Sequence, residues 1–369
     1  MAKSGFLFFG NQTNITRGLS TDDTLSDVSS LILGTYFTIL LLAGTTLNSL
    51  LMCIIYSHDI LHKSCNILII NLLVCDILTS LNLFFDSSFL LRLEQYDHSY
   101  SLCALKETGF LFTLSLSVLS MLLVTMEKLI IFNFPFRYTE LLTSRRITFL
   151  LVVSWTYSIF VACYPLLEDS RAVKVSVDNQ GNRECYIVYS MTFQWYVVLV
   201  NCLLPILLIL LTNCLVFRIA TRSMRSLPSH SSAGGRSKLI NWRAARTTMA
   251  VTSNESLCWL VFILTAISNT WCGQCHSREV TWLVYALNST SVVTNPLIYS
   301  LLNRQIRKII VKVYCRFVDG TLVEKMRGAM RECVNVVIIS IIGILRGENE
   351  RREGDDSEVI TSVVSTVNC

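Results

Sequence analysis

Residues 253–264 read SNESLCWLVFIL, an apolar run that carries a carboxylate, Glu255, close to its start. In a water-soluble helix this carboxylate would face solvent and would need no partner. At the centre of a lipid bilayer it would cost roughly 3 kcal/mol unless it faced the inside of a helix bundle. The setting of Glu255 therefore separates two fold classes, and the rest of the chain decides between them.

The composition favours a membrane protein. Of the 369 residues, 52% are apolar and 15% are charged, whereas soluble domains carry about 25% charged residues. The apolar residues come in long runs, which is typical of membrane-spanning helices. The net charge of +5 is small and gives no reason to expect a nucleic-acid partner.

Seven segments are apolar enough to cross the lipid bilayer, which takes about 20 residues of helix. We call them the first to seventh spans, and they cover residues 31–56, 66–91, 103–132, 147–167, 191–217, 247–270 and 280–302. Glu255 lies in the sixth span, which is the weakest of the seven. The sequence therefore predicts an all-α membrane protein built as a seven-helix bundle over residues 31–302.

The distribution of Lys and Arg predicts the orientation of this bundle. Sixteen of them fall in loops on one side and seven on the other. Because cytoplasmic loops are enriched in Lys and Arg, we expect a multi-pass plasma-membrane protein with residues 1–30 outside. Asn11 and Asn14 begin glycosylation sequons within that outer segment.

Two segments follow the last span on the predicted cytoplasmic side. Residues 303–317 have apolar residues at 306, 309, 310 and 313 with basic residues between them, which predicts a short amphipathic eighth helix at the membrane surface. Cys315 near its end is a candidate for palmitoylation or a free thiol. Residues 318–369 form a cytoplasmic tail with an apolar run, 334–345, and a Ser/Thr-rich end that is suited to phosphorylation.

Polar side chains recur inside the predicted spans. An Asn or Ser there reads most simply as an interhelical hydrogen bond that aids packing. Asp76 is harder to place, because a carboxylate at bilayer depth needs a cation, a proton or a cluster of donors. The residues concerned are Asn48, Asp76, Ser117, Glu255 and Asn295.

Seven sequence marks, in order and on the appropriate helices, resemble the rhodopsin-like (class A) G-protein-coupled receptors. They are Asn48 in GTTLNSLL, Asp76 in NLLVCDIL, Cys103, Trp155, Pro205, CWL at 258–260 and NPLIY at 295–299. The resemblance covers roughly residues 31–317. It implies a receptor, not an enzyme, that binds an extracellular ligand and activates heterotrimeric G proteins. It also implies arrestin binding through the phosphorylated tail.

The resemblance assigns one group of buried residues to an activation-coupled sodium pocket. Asp76, Ser117, Ser291 and Asn295 match that pocket, with Ser291 in place of the family's usual Asn. Beyond a sodium ion acting as an allosteric modulator, no cofactor is expected. Tyr299 would change its packing on activation. Glu255 stands where the family has an aromatic residue, so we expect it to face the bundle, either protonated or near a partner such as Asn213.

At the inner end of the third span, Glu127, Lys128 and Pro135 match the G-protein coupling region. Lys128 replaces the family's arginine and lacks its planar five-donor fork. Val261 replaces a proline, so we expect a sixth helix that is less kinked. These departures keep an alternative open, namely a receptor-derived ligand-binding or decoy module with weak or constitutive signalling.

The resemblance places the ligand between the outer ends of the helices. The residues that would face it are Asp86, Glu107, Phe110, Asn201, Trp259, Phe262, Tyr285 and Asn288. Phe110 stands where monoamine receptors have an aspartate, which argues against a monoamine held in the usual way. Asp86 and Glu107 favour a cationic ligand such as a basic peptide. Alternatively, Glu107 and Lys106 are both solvated, and the aromatic residues suit a neutral ligand.

The resemblance pairs Cys103 with Cys185 as a disulfide bond on the outer side, where oxidation is permitted. Cys272 and Cys275 form a CxxC motif in the last outer loop. A zinc site there would need two more ligands, and only His276 is near. A small disulfide that stiffens the loop is the favoured interpretation.

Overall fold

The computed structural model describes residues 3–4, 27–57, 64–91, 100–134, 137–169, 173–177, 183–187, 189–225, 233–272, 276–302 and 306–312, some of them by backbone alone. The predicted tail 318–369 lies outside this part of the chain, as does most of the outer segment 1–30. Five predicted site residues also lie outside it, namely Asn11, Asn14, Pro135, Cys275 and Cys315.

Helices dominate the described chain. They are α1 (Asp27–Ser57), α2 (Ser64–Leu90), α3 (Tyr100–Asn133), α4 (Tyr138–Leu141), α5 (Ser144–Glu168), α6 (Met191–Trp195), α7 (Leu204–Arg225), α8 (Ala233–Cys272), α9 (Arg278–Ser289) and α10 (Ser291–Leu302). The first four spans are α1, α2, α3 and α5. The fifth span is α6, a π-helix (Tyr196–Leu203) and α7, the sixth is α8, and the seventh is α9 with α10. Residues 306–312, within the predicted eighth helix, are also helical.

Short strands lie in the loop that joins the fourth and fifth spans. β2 (Val173–Val177) pairs antiparallel with β3 (Arg183–Ile187), with Val175 opposite Cys185. β4 (Tyr189–Ser190) pairs antiparallel with β1 (Lys3–Ser4) near the start of the chain. We call the end of the bundle that holds this loop the outer end, and the opposite end the inner end.

The outside of the bundle is apolar, and its inside holds many polar side chains among the apolar ones. Large apolar side chains such as Leu42, Phe149 and Leu283 are exposed, while Asn48 and Asn295 are fully buried. A soluble protein would cover this surface with polar and charged residues, whereas a bilayer accommodates it, because lipid tails are apolar and helices satisfy their own backbone groups. Among the described residues, six helices are long and apolar enough to cross a membrane, and they are the first six spans.

The sequence predicted one continuous helix for the seventh span. The structure has two helices of 12 residues there, which meet at Thr290. Ser289 and Thr290 donate their hydroxyls to the carbonyls of Tyr285 and Ala286 (2.9 and 3.0 Å). Such bonds compete with the regular helical ladder. Hydropathy does not show whether a hydroxyl will bond to a backbone carbonyl, so the sequence did not predict the break.

Pro296 causes a second irregularity in the seventh span. Proline has no N–H, so the carbonyl four residues earlier, that of Val292, loses its helical donor. Asn48 of the first span supplies that donor, since its Nδ2 lies 2.8 Å from the Val292 carbonyl oxygen. The buried Asn48 thereby fastens the first span to the seventh.

The fifth and sixth spans differ in regularity. Before Pro205 the fifth span widens into a π-helix, in which the Leu204 N–H donates to the Leu199 carbonyl; a proline and a widened turn commonly occur together because the proline ring crowds the preceding turn. The sixth span is unbroken over the 40 residues of α8. Val261, which replaces the family's proline, faces outward.

Candidate ligand and ion site in the helix bundle

Near the outer end, two acids and one lysine lie together. Lys106 Nζ lies 3.3 Å from Asp86 Oδ1 and 3.8 Å from Glu107 Oε1. Tyr285 of the seventh span donates its hydroxyl to Asp86 Oδ2 at 2.8 Å. We call Asp86, Lys106 and Glu107 the outer acid cluster. Glu107 is 4% exposed, so it is not the solvated side chain that one interpretation of the sequence allowed.

Aromatic rings lie below this cluster. The Phe110 ring centroid is 5.9 Å from that of Tyr285 and 6.3 Å from that of Phe262. Trp259 packs edge-on against Phe262, with a centroid distance of 5.3 Å. Such tilted and edge-on contacts are the favoured geometry of aromatic pairs. The third, sixth and seventh spans are therefore joined by rings at this level.

Below the rings lies a second pair of acids, Asp76 and Glu255, which we call the deep acid pair. Asp76 is 2% exposed and Glu255 is 1% exposed. Asn295 Nδ2 donates to both, at 3.2 Å to Asp76 Oδ2 and 3.1 Å to Glu255 Oε2. One amide therefore holds carboxylates from the second and sixth spans close together.

The sequence named Asn213 as an example partner for Glu255, and this choice was wrong. Asn213 instead donates to Thr252 Oγ1 (3.0 Å) and Ser253 Oγ (3.3 Å), which joins the fifth span to the sixth. Glu255 lies on a different face of α8 from Ser253 and reaches Asn295. Both amides were compatible with the spacing, and only the rotation of α8 distinguishes them.

A single cavity extends from the aromatic level down to the deep acid pair. Its volume is about 20 Å³, which exceeds the roughly 10–15 Å³ that one water molecule needs. It is lined by Asp76, Thr79, Asn82, Phe110, Thr113, Leu114, Ser117, Glu255, Trp259, Tyr285, Asn288, Ser289, Ser291 and Val292. Residues predicted to face the ligand and residues predicted to bind the ion therefore line the same cavity.

The predicted ligand residues divide into three groups. Phe110, Trp259, Tyr285 and Asn288 line the cavity, and Asp86 and Glu107 belong to the outer acid cluster. Asn201 lies in the π-helix and donates to Ser115 Oγ of the third span at 3.0 Å, and Phe262 packs behind Trp259. Asn201 and Phe262 are not among the cavity-lining residues.

The predicted sodium residues come together more closely. Asp76, Ser117, Ser291 and Glu255 line the cavity, and Asn295 bonds to both acids. Tyr299 is buried one helical turn further in. Within the described chain, no group of three or more His, Cys, Asp or Glu side chains is placed to hold a metal ion. Any cation here would therefore also need neutral oxygen ligands.

Sequence reasoning missed several cavity-lining residues, of which Thr79 and Asn82 are the most telling. They follow Asp76 at steps of three along the second span, and Asp86 continues the same face. Residues three and four apart share one face of a helix. A search for a polar face on the second span would have found both.

At the inner end, Lys128 Nζ lies 2.9 Å from Glu127 Oε2, and both side chains are buried. The neighbouring acid therefore serves as a partner of the lysine.

Cys103 is buried and disulfide-bonded. The side chain of Cys185 lies outside those described, although its strand β3 is present. The pairing of Cys103 with Cys185 therefore stays a prediction. Cys272 is the last residue of α8, and its side chain is likewise not described, so the small disulfide with Cys275 also stays a prediction.

Comparison with known proteins agrees with this architecture. Residues 47–299 match the family of 7 transmembrane receptors (rhodopsin family). The match covers more than half of the chain, and the protein belongs to this family. The rhodopsin-like assignment and the seven-helix bundle predicted from the sequence are confirmed.

Individual relatives are distant and diverse. The adenosine receptor A2a of Homo sapiens is 24% identical over 213 residues, which is 53% of this chain and 52% of that receptor. The histamine H2 receptor of Cavia porcellus is 23% identical and aligns over 75% of this chain and 78% of its own length. The tachykinin-like peptides receptor 86C of Drosophila melanogaster is 22% identical, with shares of 73% and 55%. The chain spans about half the length of the adenosine receptors it matches.

Proposed function

We propose that this protein is a plasma-membrane receptor, with its N-terminus outside, that binds an extracellular ligand and activates heterotrimeric G proteins. The supporting observation is the cavity that Tyr285 and Phe110 share with Asp76 and Glu255. A ligand that binds one packing of these spans better than another shifts the population towards that packing. The cavity connects the predicted ligand residues Tyr285 and Phe110 with buried polar contacts between spans.

The outer acid cluster supports a ligand with a cationic group, such as a basic peptide. Two carboxylates face one lysine, so the fully ionised cluster keeps one negative charge. Glu107 Oε2 is buried and has no hydrogen-bond partner among the described atoms. A ligand ammonium or guanidinium that displaced Lys106 would meet both acids, and charge-assisted hydrogen bonds are the strong ones.

The signalling proposal is tested by measuring G-protein activation in cells, first basally and then against a library of basic peptides, amines and nucleosides. Lys128→Arg is compared with the wild type because arginine restores the five-donor fork. We expect a measurable response in at least one G-protein pathway and a stronger one in Lys128→Arg. Silence of both receptors in every pathway, at normal surface expression, would reject the proposal.

The ligand proposal needs a separate test. We expect Asp86→Asn combined with Glu107→Gln to weaken the binding of a basic peptide agonist at least about tenfold, because each exchange removes a charged contact worth about 1.5 kcal/mol or more. Binding that the double variant leaves unchanged would exclude the cationic-ligand hypothesis. The exposed acid Glu140, exchanged for Gln, serves as the control.

A second candidate function is ligand capture with weak or constitutive signalling. The contact that favours it is the bond from Lys128 to its own neighbour Glu127, because a lysine engaged there lacks the spare donors of an arginine. A capture receptor would bind and internalise ligand, yet it would show no ligand-dependent G-protein signal even as Lys128→Arg. Arrestin binding through the phosphorylated tail is part of the proposal that the protein is a signalling receptor.

A further inference from the structure

The family resemblance implies a sodium ion beside Asp76, and the donor atoms of this chain suit a hard cation. Asp76, Ser117 and Ser291 line the cavity with carboxylate and hydroxyl oxygens, which alkali and alkaline-earth ions prefer to nitrogen or sulfur. The charge does not match, however. Glu255 adds a second buried carboxylate, so one sodium ion would neutralise only half of the pair.

The protein supplies no compensating cation in the part that the structure describes. The ion pairs found there join Lys106, Lys128 and Arg137 to other acids. Asn295 gives the deep acid pair a dipole from its amide but no charge. Buried charges are costly unless they are paired or coordinate a metal. When both are ionised, the two carboxylates therefore call for two positive charges.

We propose that the deep acid pair binds a single divalent cation, Ca²⁺ or Mg²⁺, in place of sodium. Asp76 and Glu255 supply the charged ligands, and the hydroxyls of Ser117 and Ser291 supply neutral ones. Oxygen-only coordination with one or two carboxylates is the usual protein environment of both ions. One divalent ion balances the pair, whereas sodium leaves one charge buried without a partner.

Two amide oxygens independently indicate a cation. Oδ1 of Asn288 and Oδ1 of Asn295 are both buried and have no hydrogen-bond donor among the described atoms. Asn288 lines the same cavity as the two acids. Unpaired buried acceptors in or beside a cavity that also holds two carboxylates add to its negative potential, which suits a cation. A half-turn of the Asn295 amide would also present its oxygen to an ion between the acids.

The position of the ion gives it a structural effect. Its ligands come from the second span (Asp76), the third (Ser117), the sixth (Glu255) and the seventh (Ser291). A bound divalent ion therefore holds four spans in the arrangement that brings these oxygens together. Ion binding should stabilise that arrangement whether or not the protein activates a G protein, so the proposal does not depend on the signalling proposal.

The test uses the full-length protein in lipid nanodiscs and follows thermal unfolding as CaCl₂ or MgCl₂ is added to a chelated buffer of constant ionic strength. We expect the Tm to rise and then saturate, since a ligand of the folded state stabilises it by mass action. Glu255→Gln keeps the side-chain volume and removes the charge. It should weaken the apparent affinity at least about tenfold, because even losing a residue that only orients a metal ligand costs about 10–100-fold.

Glu140→Gln, at an exposed acid outside the bundle, is the matched control and should leave the response unchanged. An equal response in the wild type and in Glu255→Gln would overturn the proposal. It would also be overturned if NaCl alone raised the Tm of both proteins while CaCl₂ and MgCl₂ did not. Stabilisation by acid alone, with no response to either metal, would show that protons neutralise the pair and would equally reject it.

A direct measurement covers the case in which Glu255→Gln fails to fold. Tb³⁺ substitutes for Ca²⁺ and emits when a nearby tryptophan transfers energy to it, and Trp259 lines the cavity. We expect wild-type protein to sensitise Tb³⁺ and CaCl₂ to displace it. Emission that persists unchanged under excess CaCl₂ would contradict a shared divalent site.

Discussion

The outer acid cluster and the deep acid pair each hold two carboxylates but give them different partners. In the outer cluster Lys106 is 20% exposed and reaches both acids. In the deep pair both acids bond to the neutral amide of Asn295. The protein thus provides a cation where solvent and ligand can compete for it, and a dipole where bilayer depth makes every unbalanced charge costly.

The largest effect is expected from removing the Asn295 amide, which tests whether the deep acid pair depends on it. Asn295→Leu should lower the free energy of unfolding by about 3 kcal/mol or more, because two buried carboxylates lose their shared donor and charged hydrogen bonds are worth about 1.5–3 kcal/mol each. Thermal unfolding of the purified protein measures the loss. Asn254→Leu, which removes an amide bonded to Thr294 at 3.0 Å, should cost clearly less.

A double variant checks the cause of that loss. Adding Glu255→Leu to Asn295→Leu removes one of the stranded charges, so it should restore part of the stability. If the double variant were as unstable as the sum of the two single variants, the amide would matter for packing and not for charge.

A smaller effect is expected at the junction between the outer cluster and the seventh span. Tyr285→Phe removes a 2.8 Å hydrogen bond to the Asp86 carboxylate and should cost about 1.5–2 kcal/mol. Tyr36→Phe removes a 2.6 Å bond to the Thr290 hydroxyl, a neutral group, and should cost about 0.5–1 kcal/mol. Equal losses in thermal unfolding would mean that the charge of Asp86 contributes nothing to the bond.

The smallest effect should follow from removing the outer cation. Lys106→Met should cost about 1 kcal/mol in thermal unfolding, since a partly exposed pair is screened by solvent. The same variant should bind a cationic ligand more tightly, because it exposes Asp86 and Glu107 to the ligand. Lys106→Arg preserves the charge and should change neither property much. Weaker binding of a cationic ligand by Lys106→Met would indicate that the lysine itself contacts the ligand.

The sequence was sufficient for the bundle but not for the contacts inside it. Apolar length located the spans because it is a property of local sequence, and the CWL mark at 258–260 aligned the sixth span through the family resemblance. The partner of Glu255 depends on how α8 is rotated against α7 and α10, and spacing along one chain does not contain that rotation. For the same reason the sequence left Glu107 open between a buried acid and a solvated one.

Backbone irregularities were visible only in part. Pro205 and Pro296 signal lost hydrogen bonds directly, so irregularities near them were to be expected. The break at Thr290 has no such signal, since Ser and Thr hydroxyls bond to the preceding turn in many unbroken helices. In this chain the Thr290 hydroxyl also lies 2.6 Å from the Tyr36 hydroxyl of the first span, a contact that the spacing of residues along the sequence does not reveal.

The break at Thr290 also separates the residues of the seventh span that belong to the two acid sites. α9 carries Tyr285, which belongs to the outer level, and α10 carries Asn295, which belongs to the deep level. If the seventh span were one straight helix, a tilt imposed through Asp86 at its outer half would reach Asn295 unchanged. Two 12-residue helices that meet at Thr290 need not tilt together, and the Tyr36 hydroxyl lies 2.6 Å from Thr290 Oγ1 at the point where they meet. The first span therefore contacts the seventh at the boundary between its outer and deep halves, away from both acid sites.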